Sequence, residues 1–325
     1  MKFGLVVPNF CGGVRGAEIP TLSNLVGFSQ KSERLGFDCL WVIDHLCVGW
    51  PIYSTTWLDP IVTLSAMAPV TKTIKLGTSV IVLPLRPPPI LAKEIASLDI
   101  ISDGRVQFGV GNGWWEKEFE ACGIPKKERG ARSSEGIDII LKLWEEDSLT
   151  YNGKFYSFKD VSVVPKPVQK PHPPIWIAGG SAIGKAKEVY QIKADPVLKR
   201  VAQYGDVWLS RAYTDVERLS GDWKLVQEYL KEYGKSTSKF TFAHITWIFL
   251  TEGKSESTAK EMFAKCLSIP FSDVKKEAIM GTKREIIKQL EDLRGIGIQY
   301  NVLWPTHDDD ELLNFLSKEV LPSFA

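Results

Sequence analysis

Long hydrophobic runs, an excess of one charge sign and closely spaced cysteine pairs are all missing from this 325-residue sequence. No apolar stretch approaches the roughly 18 residues expected of a membrane-spanning helix. Forty basic residues face 39 acidic ones, so nothing in the net charge draws the chain to nucleic acid or to an anionic membrane. The cysteines Cys11, Cys39, Cys47, Cys122 and Cys266 form no CxxC pair and leave an odd one over. The opening "MKFGLVVPNF" has one Lys and a short apolar run closed by Pro8, so it reads as a strand rather than a signal peptide. The thiols are therefore expected to be reduced, in the cytoplasm. Histidine is scarce as well. His45, His172, His244 and His307 are scattered, with no HExxH motif and no Cys/His cluster, so no metal site is expected.

What the sequence does have is alternation. Strand-like runs, "KFGLVVP", "FDCLWVI", "IKLGTSVIVLP", "RVQFGVG", "PIWIAGG", "GDVWLS", "FTFAHITWIFL" and "IQYNVLWP", are separated by helical patterns. The helices are expected near 21–35, 58–69, 89–101, 132–144, 196–204, 222–233, 255–266, 282–294 and 309–320. One stretch, 147–173, breaks the rhythm. "LTYNGKFYSF" signals a hairpin turning at Asn152-Gly153 with type I′ geometry. "VVPKPVQKPHPP" follows with five prolines and reads as a stiff surface passage.

Eight β-runs with helices between them predict one (β/α)8 TIM barrel over residues 1–325, with the hairpin and the Pro-rich segment inserted before the fifth strand. A doubly wound open sheet is the alternative. Its dinucleotide fingerprint is absent, because "GVGNGW" puts Trp114 where GxGxxG needs its last glycine. In a barrel the carboxyl ends of the strands carry the chemistry. The run Cys39–Ile43 ends there on Asp44 and His45, two ionisable groups that are costly to bury unless paired, hydrated or used. They are the candidate catalytic pair, His45 as acid/base near neutral pH and Asp44 orienting it or bonding a ligand ring. The bland reading makes Asp44 a strand-end cap and His45 a structural residue. Cys47 is either a nucleophile or a small hydrophobe.

The run from Lys75 to Trp144, containing "KLGTSVIVLPLRPPP" and "GVGNGWWEKEFEACGIP", resembles the luciferase-like monooxygenase superfamily. "WVIDHL" and "VVPKPVQKPHPPIWIAGGS" resemble it too, so the likeness covers most of the chain. That group includes bacterial luciferase, alkanesulfonate monooxygenase and enzymes using the deazaflavin coenzyme F420. The resemblance implies FMN or coenzyme F420 at the carboxyl end of the barrel. It implies a non-prolyl cis peptide at Ser79–Val80 against the cofactor ring, and contacts from Asn112 and Gly113 to its tail. Arg132 matches an arginine near the phosphate, and Gly179, Gly180 and Ser181 fall on the loop offering amides to it. Without the resemblance, Arg132 is a solvated helix charge and Ser79 an ordinary strand residue.

Two departures bear on the site. "AIGKAKEVYQIKA" intervenes between Ser181 and the next helix, where Asp195 reads as an N-cap that repels a phosphate. Relatives in the deazaflavin branch carry a glutamate where this chain has Trp114. Trp50, Trp114, Trp115 and Trp304 are expected to wall an apolar substrate pocket or else to be core. The resemblance favours hydride transfer between the deazaflavin and a small organic substrate. An FMNH2-dependent monooxygenase served by a flavin reductase is the alternative, and a non-catalytic flavin-binding barrel is the rival from another class. By family analogy the protein is a homodimer.

Overall fold

A computed structural model describes residues 1–11, 19–47, 56–182, 194–212, 215–252, 271–276, 278–305 and 310–325, with scattered positions between 255 and 264. The barrel strands are β1 (Lys2–Val6), β2 (Cys39–Val42), β3 (Lys75–Thr78), β4 (Val106–Gly111), β5 (Ile175–Ala178), β6 (Val207–Ser210), β7 (Thr241–Leu250) and β8 (Tyr300–Pro305). Every neighbouring pair is parallel, and β1 pairs with β8 through Lys2↔Tyr300, which closes the ring and excludes the open sheet. The described helices include α1 (Leu22–Arg34), α2 (Pro60–Met67), α3 (Pro88–Ile101), α4 (Glu116–Ala121), α5 (Arg129–Glu145), α6 (Ala194–Tyr204), α7 (Val216–Glu232) and α8 (Lys283–Gly295).

Both faces of the strands are covered, which is why they read as near-continuous apolar runs. Alternation splits them into two cores. Phe3, Leu5, Leu40 and Leu76 face the helices. Val6, Cys39, Trp41, Trp176, Leu209 and Tyr300 fill the interior. Trp41 takes its space from two glycines: a Cβ at Gly4 would lie 2.3 Å from its indole nitrogen, and one at Gly77 2.4 Å from its ring. Trp41 packs edge-on to Trp176 at 4.4 Å, and Trp176 to Tyr300 at 4.9 Å. This aromatic plug fills the barrel interior behind the strands' carboxyl ends.

Helix starts follow capping chemistry. Thr21 and Thr282 form capping boxes with Asn24 and Glu285, and Asp59 precedes Pro60 while accepting from the amides of Ile61 and Val62. Three expectations need correction. α7 begins at Val216, six residues before the expected start, because Asp215 caps it by accepting from Arg218. The hairpin Leu149–Asn152/Ser157–Val161 exists, but its turn is the four-residue loop 153–156 rather than a two-residue turn at Asn152-Gly153. Glu135 of α5 accepts from the amides of Phe155 and Tyr156 at 3.0 and 2.9 Å and so holds the wider loop. The last helix runs from Asp310 to Phe315 and then loosens into a π-type turn over Leu316–Val320. Half of the residues of the helix expected at 255–266 lie outside the described residues. The Pro-rich passage contains cis Val164–Pro165 and Lys170–Pro171, and Gln169 ties it to the Asp99 carboxylate of α3 with bonds of 2.7 and 3.0 Å.

Candidate active site

The carboxyl ends of the strands surround a cavity of about 580 Å³, a size typical of small-molecule and cofactor sites. Asp44, His45, Ser79, Val80, Asn112, Gly113, Trp114, Gly179 and Trp304 all line it. Strand β2 delivers the first two. Beyond Val42 the chain leaves the ladder, and Asp44 and His45 stand at the mouth as the strand-end position requires.

Their partners differ from the expected ones. Asp44 accepts from the Val82 amide at 2.9 Å and pairs with Arg86 at 3.1 Å, so no bond joins it to His45. Arg86 also reaches Asp59 at 2.8 Å. Asp44 therefore ties the β2 end to the segment after β3, and the orienting role expected for it is corrected. The imidazole Nδ1 of His45 lies 3.1 Å from Oε1 of Glu118 instead. The ring sits near Trp57 and Trp114, with centroids 5.6 and 6.2 Å away.

After β3 the Ser79–Val80 peptide is cis, and the Ser79 amide donates to Val42 O at 2.7 Å. Ser79 lines the cavity, and its hydroxyl is buried with no hydrogen-bond partner among the described residues. Glycine is demanded where β4 passes this bend: a Cβ at Gly109 would sit 1.8 Å from Thr78 O, and one at Gly111 2.7 Å from a Val80 methyl. Gly113 has φ +69° and sits over the Phe119 ring, 3.1 Å from the position of an added Cβ.

The phosphate residues expected from sequence need correction. Arg132 does not line the cavity. It pairs with Glu128 one helical turn back at 2.9 Å and stacks on Phe155 at 4.4 Å. The loop after β5 is also engaged. Gly179 donates its amide to Leu209 O, and both the amide and the hydroxyl of Ser181 bond the Asp222 carboxylate at 2.6 and 2.9 Å. Gly180 faces the same carboxylate, since a Cβ there would lie 2.8 Å from it. Neither Gly180 nor Ser181 lines the cavity. Asp195 is no N-cap but lies inside the first turn of α6, where it accepts from the Tyr229 hydroxyl.

The cations at the cavity are Lys127, Arg129, Arg200 and Arg211. Arg200 is 7 % exposed and, among the described residues, bonds neutral acceptors: Ser134 Oγ at 2.9 Å, Gly130 O at 2.7 Å and Asn112 Oδ1 at 3.3 Å. Burial lowers its pKa to about 10. Sequence reasoning missed both Arg200 and Glu118, although each leaves a trace. Glu118 falls on the stripe Trp115–Glu118–Phe119–Cys122 and Arg200 on Val197–Arg200–Val201–Tyr204, each a charge at i+3 within helical spacing.

Of the tryptophans, Trp114 and Trp304 line the cavity, with Trp304 stacked on Trp247 at 3.7 Å. Trp115 is buried core, and Trp50 lies outside the described residues. Cys47 is a free thiol whose pKa is raised by burial and by Glu118, which disfavours the thiolate a nucleophile needs. His244 is buried behind Ser210 with its pKa lowered to about 3 by burial, so it is neutral. Among the described residues no cluster of His, Cys, Asp and Glu can hold a metal ion, and no helix is long and apolar enough to cross a membrane.

Comparison with known proteins agrees with the barrel fold. The chain is 27% identical over 326 residues to an F420-dependent glucose-6-phosphate dehydrogenase of Amycolatopsis mediterranei (strain U-32), covering 92% of this chain and 93% of that one. It is 25% identical over 357 residues to an FMNH(2)-dependent dimethylsulfone monooxygenase of Pseudomonas putida, covering 99% and 94%. Its fold superposes with a TM-score of 0.79 on an F420-dependent secondary alcohol dehydrogenase solved with an F420-acetone adduct, at 19% identity over 100% of this chain and 99% of the other. Residues 1–272 match the family described as luciferase-like monooxygenase. With that match spanning most of a closed barrel whose mouth carries the candidate site, the chain belongs to the luciferase-like monooxygenase family.

Proposed function

We propose that the protein, as one barrel domain over residues 1–325, is an oxidoreductase that transfers hydride between coenzyme F420 and a small organic substrate. One observation carries the reading. The cavity at the strand ends is bounded by an imidazole, His45, and by a buried guanidinium, Arg200, that has no carboxylate partner among the described residues. A ligand with a flat reactive ring and an anionic tail satisfies both.

The residues present fit such a ligand. Arg200 spends three of its five N–H groups on neutral acceptors, which leaves two for an oxyanion. The Ser79 hydroxyl, buried without a partner, gains one from a polar ring edge. When bound, the deazaflavin supplies a site that gives or takes a hydride. His45 takes or returns the proton that accompanies the change in the substrate. Trp114 and Trp304 present apolar walls that keep water away from the reacting atoms. Asp44 holds the Val82 amide and Arg86, and so shapes the cavity wall without moving a proton.

A second reading is an FMNH2-dependent oxygenase with a flavin reductase as partner, favoured by the likeness over 99% of the chain to the dimethylsulfone monooxygenase. A homodimer belongs to either reading. Fluorescence titration of the purified protein with FMN and with coenzyme F420 tests the choice. A preference of about tenfold, or 1.4 kcal/mol, for the deazaflavin supports hydride transfer. The same preference for FMN moves the reading to the oxygenase, and binding of neither removes both.

A further inference from the structure

His45 is gripped by a carboxylate that stands 73 residues away in sequence. Helix α4 carries Glu118 between two anchors, Trp115 and Phe119, which are 7 % and 0 % exposed, and Glu118 itself is 0 % exposed. Its Oε1 accepts from the Leu46 amide at 2.7 Å and lies 3.1 Å from Nδ1 of His45. Main-chain and side-chain groups of the same β2 loop thus converge on one oxygen. We propose that Glu118 is the positioning residue for His45: it accepts the Nδ1 hydrogen, fixes the ring as the Nδ1–H tautomer and makes Nε2 its basic atom.

An ionised carboxylate only accepts, and a neutral imidazole carries one donor and one acceptor, so the nitrogen facing Glu118 is the one that bears hydrogen. An unrestrained histidine favours hydrogen on Nε2, so the contact selects against the intrinsic preference. The second oxygen of Glu118 is buried with no hydrogen-bond partner. A buried carboxylate with one oxygen unmet costs stability that an amide or apolar side chain would not. What holds the carboxylate there is the pair of contacts it makes with the β2 loop, the Leu46 amide and the His45 ring.

The inference rests on the acid/base role proposed for His45, but its principal test needs neither cofactor nor turnover. Histidine-15N labelling, with the His45 signals assigned by loss in His45→Gln, reads the tautomer at alkaline pH, where the ring is neutral. The expected result is hydrogen on Nδ1 and a bare Nε2 in the wild type and in Glu118→Gln, whose amide oxygen still accepts. Glu118→Leu shifts hydrogen toward Nε2 and lowers kcat by at least about 10-fold with KM within about twofold, and Glu118→Gln recovers part of the loss. Hydrogen on Nε2 in the wild type overturns the proposal, as does a tautomer unchanged in Glu118→Leu. If the leucine variant does not fold, the wild-type and Glu118→Gln spectra decide. An Nδ1–H ring with full turnover in His45→Gln removes the proposed acid/base while leaving the positioning intact.

Discussion

Arg200 gives the sharpest test of how the cavity holds its ligand. A guanidinium that is 7 % exposed and whose pKa falls to about 10 carries a cost of about 3 kcal/mol for staying charged indoors. The sign follows from linkage. The folded value lies below the unfolded one, so the penalty is present throughout the neutral range and lifts only as pH rises past about 10. A phosphate beside the two spare N–H groups offsets that penalty. Charge-assisted hydrogen bonds contribute about 1.5–3 kcal/mol, or roughly 10–150-fold in affinity. Replacing Arg200 by Gln removes the charge while keeping donors for Ser134 and Gly130. The assay compares ligand pairs differing only in the phosphate: FMN against riboflavin, and coenzyme F420 against its phosphate-free core. In the wild type the phosphorylated member of at least one pair binds more tightly. In Arg200→Gln that advantage shrinks by about 10-fold or more, with the phosphate-free ligand little changed. Equal weakening of both members, or an unchanged ratio, refutes the reasoning, because Arg200 then supports the scaffold and not an anion.

Other consequences are measurable. His45→Gln and His45→Ala lower turnover by about 10²–10⁴-fold without loss of cofactor affinity, and activity within a few-fold of wild type removes the acid/base role. Gly77→Ala drives a methyl to 2.4 Å from the Trp41 ring, so urea titration registers a loss of about 1–3 kcal/mol or more. Burial holds His244 neutral with a pKa near 3; the unfolded chain protonates below about 6.5, so stability falls as pH drops from there toward 3, and His244→Asn flattens that part of the profile. Burial would raise the Glu33 carboxyl, but the amides of Ile74, Thr73 and Lys72 outweigh it and bring its pKa to about 2. Its contribution is complete above the ordinary glutamate range and disappears as pH falls toward 2, so the stability of Glu33→Gln declines less across that window.

The sequence made the barrel legible because the barrel strands are covered on both sides and read as apolar runs, while helices such as α1, α6, α7 and α8 carry a clear apolar stripe, so the two periods alternate in plain view. The same logic put Asp44 and His45 at the mouth. It failed where a side chain or amide has a partner that the local pattern does not single out, near or far in sequence. Arg132 reads as a phosphate ligand until Glu128, four residues earlier, claims it. The amide of Ser181 reads as free until Asp222, 41 residues on, accepts from it. Glu118 and Arg200 were visible as charges on apolar stripes, yet short periodic patterns do not say what such a charge faces. The hairpin turn fails for a related reason: Asn152-Gly153 favours a two-residue turn locally, and Glu135 in α5 binds the wider loop more completely.

Charge placement explains how a nearly neutral chain gives its mouth a direction. The formal net charge is +1, but among the described residues the cavity lining has Lys127, Arg129, Arg200 and Arg211 against the single carboxylate of Asp44, and Asp44 already pairs with Arg86. Glu118 sits behind His45 and outside the lining, with its carboxylate on the imidazole. One part of the cavity therefore combines an imidazole with aromatic walls, and the part around Asn112, Gly130 and Arg200 carries a buried positive charge. A ligand with an uncharged ring and an anionic tail has one favourable orientation in such a field, because reversing it places the tail against Trp114 and Trp304 and leaves Arg200 buried without compensation. The scaffold supplies this asymmetry from two short helical stripes, α4 and α6, that follow β4 and β5. Changing the sign at either stripe, Arg200→Glu or Glu118→Lys, should abolish binding of a phosphate-bearing ring ligand or disable the imidazole respectively, while a neutral substitution weakens each in proportion to the hydrogen bonds lost.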